Sequence, residues 1–204
     1  MVFSFPGRPG PAPLPPRGPA ELRAYWEGLR RDGGIPCRAE LDPRGMAGVL
    51  DRVFVAERIG AGLVRLRIAG MALTDIAGLE MKGLPLSVLV LPGARERLAQ
   101  VVQRVLDRPQ AAELELEAER GIGRPALRGR LLLLPLLSGG GGRDLVLGCL
   151  ATEGETGRAP RRFAIVRALE ERLLLPDAAP AFAGPPAPAL RPGRGHLRLV
   201  HSAD

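Results

Sequence analysis

The chain holds two cysteines and two histidines, and their positions limit the chemistry it can do. Cys37 and Cys149 are far apart and belong to no CxxC pair, so the sequence contains neither a metal knuckle nor a dithiol redox site. Cys37 follows Ile35–Pro36 and precedes Arg38, whose charge favours a thiolate; a half-buried spectator thiol is the expectation, a redox sensor the minor alternative. Cys149 lies in the apolar run LVLGCLA and is expected to be inert core. His196 and His201 both fall in the C-terminal tail, which leaves the body of the chain without an imidazole to serve as general base or metal ligand. Thr74 and Asp75, in MALTDIAGLE, suit either a hydrogen bond to a small ligand or a helix cap. Asp42, Asp51 and Glu57, with Arg38 and Arg52, read as surface ion pairs of small energetic weight. SGGGG at 138–142 lacks the Lys-Ser/Thr that completes a phosphate loop and reads as a hairpin connection. No nucleophile elbow or metal-ligand cluster stands out, so the expectation is a protein that is not an enzyme, with no catalytic and no metal-ligating residues.

Composition narrows the class further. Apolar residues make up 46% of 204 residues but aromatics only 3%, so the core of a single domain must be built from Leu, Val, Ile and Ala. The net charge of +7 is spread thinly over leader, middle and tail and forms no basic arm, which argues against nucleic acid as a partner. No apolar run approaches the roughly 20 residues of a bilayer span; LLLLPLL at 131–137 is too short, so no membrane contact is expected. The N-terminus is interrupted by proline and does not resemble a secretory signal. Two isolated thiols fit a reducing compartment, and a cytoplasmic location is expected.

These residues must be positioned by elements the pattern makes legible. Residues 1–18 read as a disordered Pro-rich leader. Gly18 and Pro19 suit a helix start, with the helix running to about Arg31 and Gly33–Gly34 ending it. This helix carries Tyr25 and Trp26, the single tyrosine and the single tryptophan of the chain. Adjacent helical positions point about 100° apart, so Trp26 is expected to anchor the helix and Tyr25 to lie at the edge of that contact. Asp42 and Pro43 open a short helix with Met46, Val49 and Leu50 inward. Val53–Glu57 and LVRLRIAG read as two strands joined by GAG, with Val64, Leu66 and Ile68 on one face. Residues 71–91 read as one or two short helices, and Pro92 to about Asp107 as a longer one with Leu98, Val101, Val102 and Val105 inward. Three strands follow, AAELELEAER, RPALRGRLLLLPLL and RDLVLGCLAT, with Pro135 predicting a bulge or a break in pairing. RRFAIVRALEERLLL reads as an amphipathic helix within 160–175, striped by Phe163, Val166, Leu169 and Leu173. It would either fold back on its own domain or serve as a dimerisation or partner-docking helix. Residues 176–204 read as a disordered tail.

The order is α+β, helices between strands of one antiparallel sheet, and it is the PAS topology. LRAYWEGLR, IPCRAELDP, LDRVFVAE, RLRIAG and MKG, with LLLLPLL and LVLGCLA later, resemble a proteobacterial family of stand-alone PAS-domain proteins with an N-terminal YW helix, over about residues 20–152. Met71 and Ala77 stand where that family usually has Thr and Phe, and SVLVL stands where it often has a tryptophan.

The resemblance implies a PAS-like five-stranded antiparallel sheet with helices on one face over residues 19–152, plus flanking N- and C-terminal helices and no output domain. It implies a sensory or regulatory module that acts through a small apolar ligand, a protein partner or a homodimer. An enzyme with an atypical site and a basic nucleic-acid-associated regulator are the alternatives. The implied pocket lies between the inner sheet face (Leu66, Ile68, Leu114, Leu116), the helical excursion (Thr74, Asp75) and the longer helix (Leu98, Val102). The family's cofactors are not expected. Haem would need an axial ligand where only Met71 and Met81 are available. A flavin photosensor needs an Asn-Cys-Arg motif that residues 71–91 lack, and a covalent cinnamoyl chromophore needs a thiol that Cys37 and Cys149 do not place.

Overall fold

A computed structural model describes residues 17–175; the predicted leader up to residue 16 and the tail 176–204 lie outside the described residues. The elements are α1 (Arg17–Leu29), β1 (Val53–Gly60), β2 (Leu63–Ala69), α2 (Met71–Ala77), α3 (Arg95–Asp107), β3 (Gln110–Ala118), β4 (Arg128–Leu136), β5 (Leu145–Glu153) and β6 (Phe163–Arg172). Short 3-10 segments join them, the longest at Pro43–Arg52. The strands form one sheet in the order β2-β1-β5-β4-β3-β6, every neighbouring pair antiparallel.

Both faces of the sheet are covered. On the inner face, α2, α3 and the turn at Leu86–Leu89 pack on Leu66, Leu114, Leu131, Leu133 and Val146. On the outer face, α1 and the Pro43–Arg52 segment pack on Val53, Leu132, Leu134, Leu147 and Cys149. Two-sided burial explains why LLLLPLL and LVLGCLA are continuous apolar runs: successive side chains enter opposite clusters. β3, by contrast, puts Leu114 and Leu116 inward while Glu113 and Glu117 meet Arg130 and Arg128 of β4 across the strands.

Three sequence expectations are corrected, and the one at Pro135 is met on one side of its strand. The predicted C-terminal helix is a strand, β6, which pairs along the whole length of β3 and makes the sheet six-stranded rather than five. The open edge of β3 supplies pairing partners along nine residues, and this tertiary pairing overrides the helical stripe. Ile68 does not share a face with Val64 and Leu66. Val55 pairs with Ile68 but Ala56 pairs with Leu66, so Arg67 is an extra residue in a bulge that turns Ile68 to the outer face, half exposed. Pro135 does mark a break in pairing, on one side only: it pairs with Val146 in unbroken register, whereas pairing with β3 stops at Leu133, so no N–H is needed on that side. Leu50 is exposed rather than inward. The Asp42–Pro43 start does form as expected, the Asp42 carboxylate accepting from the Arg44 N–H at 2.9 Å.

Candidate functional site

The inner wall of the sheet is built by strand alternation and completed by α3. Leu66, Leu114 and Leu116 from β2 and β3 meet Leu98 and Val102 from α3 in one apolar cluster. Five of the eight residues expected to line a pocket are thus brought together. Ile68 is on the opposite face. Asp75 is exposed and Thr74 half-buried. Neither caps α2, which starts after Gly70 without a side-chain cap; they lie within it, and the Thr74 carbonyl accepts from the Gly78 N–H at 2.7 Å.

The wall opens into a groove of about 370 Å³ between the β1–β2 turn, the Leu86–Leu89 turn and α3. Val64, Leu86, Leu98 and Val102 form its apolar lining, with Ser87, Arg95 and Glu96 as polar groups. Gly62 sets its shape: at φ 64° it bends the turn onto α3, and a Cβ there would stand 2.5 Å from the Ala99 carbonyl oxygen. Sequence reasoning places Leu98 and Val102 here but misses Gly62 and Leu86; GAG signals the turn, not what it rests on.

A second, polar hollow of about 400 Å³ lies on the outer side, lined by Arg38, Val55, Glu57, Arg67 and the Ser138–Gly139 loop. Its carboxylate is already committed, since Arg67 Nε donates to Glu57 at 2.5 Å. Arg65 stands 3.9 Å from the same carboxylate.

Cys149 is buried in the outer cluster beneath α1, where loss of solvation pushes its thiol up to about 12. Cys37 is half-buried beside Leu137, its sulfur 3.8 Å from the Ser138 carbonyl. Neither thiol belongs to the inner cluster. Met81 does, fully buried, whereas Met71 is exposed. Two buried polar side chains occur among the described residues, Gln110 and Arg161. Gln110 donates to Glu170. Arg161 donates to the carbonyls of Glu119 at 3.1 Å, Pro125 at 2.7 Å, and Thr156, a role that nothing in the sequence signals. The inner cluster is thus aliphatic apart from Phe54, Phe163 and the Met81 thioether.

An α+β sheet domain with this strand order, an excursion of short helices and an apolar inner wall is a sensory domain of the PAS class. A family model described as PAS domain matches residues 16–151, and the chain belongs to that family. Among solved structures it is similar to a light-oxygen-voltage domain studied with a flavin analogue, at 16% identity and TM-score 0.43, over 55% of this chain and 84% of that one. It is also similar to the LOV domain of the blue-light photoreceptor Aureochrome1, at 11% identity and TM-score 0.39, over 55% and 88%. A third is the LOV domain of a blue-light activated histidine kinase from Erythrobacter litoralis, at 19% identity and TM-score 0.36, over 51% and 96%. No curated protein matches the chain.

Proposed function

We propose that this PAS domain is a regulatory module that takes a small apolar ligand in the groove beside α3 and passes its state on by protein contact, without chemistry of its own. The observation that carries this is the groove itself. Its volume of about 370 Å³ falls in the range of small-molecule sites, and its lining runs without interruption into the inner core. Filling it would push on Leu98 and Val102, and hence on α3 and the sheet beneath. The apolar wall supports a ligand held by shape rather than a haem, a flavin or a covalent chromophore. Pairing of Arg58, Arg104, Arg128 and Arg130 with carboxylates supports a protein rather than a nucleic-acid partner. No helix among the described residues is long and apolar enough to cross a membrane, and a cytoplasmic setting suits the two unpaired thiols.

Mass spectrometry of small molecules released by denaturing the purified chain tests the proposal, together with binding of an apolar fluorescent probe. An apolar compound should be retained, or the probe bound, in wild type. Ser87→Trp, from a half-buried position in the groove, should abolish either without lowering Tm. Equal probe binding by Ser87→Trp would refute the groove as the site.

A further inference from the structure

The outer edge of β6 is half closed and half open, and the division is sharp. The Leu91 N–H donates to the Phe163 carbonyl at 2.9 Å and the Arg97 guanidinium to the Ile165 carbonyl at 2.9 Å. The edge is therefore occupied up to the bulge at Val166. From Val166 to Arg172 no hydrogen bond to the outward backbone groups occurs among the described residues. The Leu173 N–H donates to the Pro109 carbonyl, on the β3 side. Strict alternation then turns the N–H and C=O of Leu169 and Glu171 toward β3, and those of Ala168, Glu170 and Arg172 toward solvent. Such an edge is a template for another strand.

The side chains of this stretch are complementary to themselves. The middle of Val166–Arg172 is Leu169. A two-fold axis there, perpendicular to the sheet, sets Leu169 against its own copy, Arg167 against Glu171, and Ala168 against Glu170. Arg167, Leu169 and Glu171 share the outer face, so each ion pair forms twice beside an apolar centre. The outward-facing pairs Ala168–Glu170 are those that exchange hydrogen bonds. Glu170 brings no repulsion, because its carboxylate is held by Arg104 and Gln110 of its own chain. Glu171 already accepts from Arg23 at 3.1 Å and has lone pairs to spare. Moving the axis to Glu170 would stack that residue on itself, and moving it to Ala168 would lose both ion pairs. Leu169 is 44% exposed, and this register covers it.

The geometry points to a second copy of this chain as the partner of β6, the two sheets joining edge to edge into one of twelve strands. This rests on the protein-contact half of the proposal above and names its surface. Mass measurement in solution on the full chain tests it. Wild type should be a dimer, with slow amide exchange at Ala168, Glu170 and Arg172. Arg167→Glu or Glu171→Arg alone should weaken the dimer at least about tenfold, since each sets like charges opposite one another. Mixing the two variants should restore a dimer containing one of each, because both ion pairs re-form between unlike copies. Leu169→Cys should give a covalent dimer when a thiol oxidant such as diamide is added, which takes up the two electrons and two protons of the paired thiols, the two Cα atoms of a non-hydrogen-bonded pair lying within disulfide reach. A monomeric wild type, whether its edge amides are protected or not, would overturn the inference. So would a dimer indifferent to both charge reversals. Ligand uptake is read separately by the fluorescent probe, so groove and edge can fail independently.

Discussion

The Trp26 Nε1–H donates to the Pro135 carbonyl at 3.0 Å, joining α1 to the sheet at the β4 residue that has no N–H of its own. Trp26 is fully buried among Leu22, Leu132, Leu134 and Leu147, and the Arg30 guanidinium lies 5.3 Å over its ring. Tyr25, half-buried at the margin, exchanges hydrogen bonds with the Asp42 backbone, donating at 3.1 Å and accepting at 2.7 Å. One aromatic anchors the helix and its neighbour ties down the segment that follows.

Trp26→Ala should therefore destabilise the chain by about 3–5 kcal/mol, the usual cost of emptying a large aromatic site. Trp26→Phe keeps most of the packing and leaves the Pro135 carbonyl unpaired, for about 1–3 kcal/mol. Urea unfolding measures both. An unchanged midpoint for Trp26→Ala would show that α1 is not held by this residue.

Gly148 and Phe54 are cross-strand partners in β5 and β1, and a Cβ on Gly148 would collide with the Phe54 ring. Because strand spacing is fixed by the ladder, the ring cannot retreat without moving the sheet. Gly148→Ala should cost about 1–3 kcal/mol as overpacking. Adding Phe54→Leu should recover part of that loss, giving a coupling of about 0.5–3 kcal/mol in a double-mutant cycle. Strict additivity would mean that the two do not share the space.

The same contrast between local and distant causes governs what the sequence discloses. Leu114–Glu115–Leu116 alternates, Asp42–Pro43 starts a helix, and Leu98, Val102 and Val105 recur on one helical face; each signal lies within a few residues of the element it specifies. Phe163, Val166, Leu169 and Leu173 fit a helical stripe, while Phe163 and Ile165 also fit a strand. The open edge of β3, about fifty residues away, decides between them. Ile68 leaves its face because of a bulge that no residue type announces. The groove depends on Gly62 resting on Ala99, and the Arg161 contacts depend on three distant carbonyls. The inner wall was thus legible; its opening and its fastenings were not.

Arg161 fastens the far end of the sheet, holding the Glu119 and Pro125 carbonyls on one side and Thr156 on the other. Burial lowers its guanidinium from the ordinary arginine value, and the charge is kept by those carbonyl dipoles. Arg161→Met should expose the loss as about 1–3 kcal/mol for each carbonyl left unpaired and buried. Arg161→Lys should rescue little, since a point charge cannot span the fork. Amide exchange should quicken at 119–127 and 154–161 while β1 and β5 stay protected. Uniform loss of protection would instead mark Arg161 as part of the global core.

Acid sensitivity should concentrate at the α3–β6 contact. Arg104 holds the Glu170 carboxylate through paired bonds of 2.7 and 2.6 Å, and chiefly for that reason the carboxyl lies below its ordinary value, with Gln110 adding to the effect. A carboxyl depressed in the folded chain contributes stability that is complete above the unfolded pKa and is lost as pH falls through the folded one. Glu170→Gln should therefore lower Tm near neutrality and flatten its decline toward acid. Asp107, lowered chiefly by its 2.7 Å hydrogen bond from Arg58, should give the same sign with Asp107→Asn. Parallel pH profiles for wild type and both variants would remove these pairs from the account.

The two thiols should separate cleanly. Burial raises Cys149 to about 12, and the N-terminus of α1 seals it, with Gly18 so close that a Cβ would stand 3.2 Å from the sulfur. Alkylation needs the thiolate and access to it, so at mildly alkaline pH the folded chain should take one label, at half-buried Cys37, and a second only on denaturation. Because α1 is the seal, Trp26→Ala should speed labelling of Cys149 in proportion to the opening of that helix, before global unfolding. Intact-mass measurement over time reads both events. Rapid double labelling of the wild type would show that α1 does not stay closed over β5.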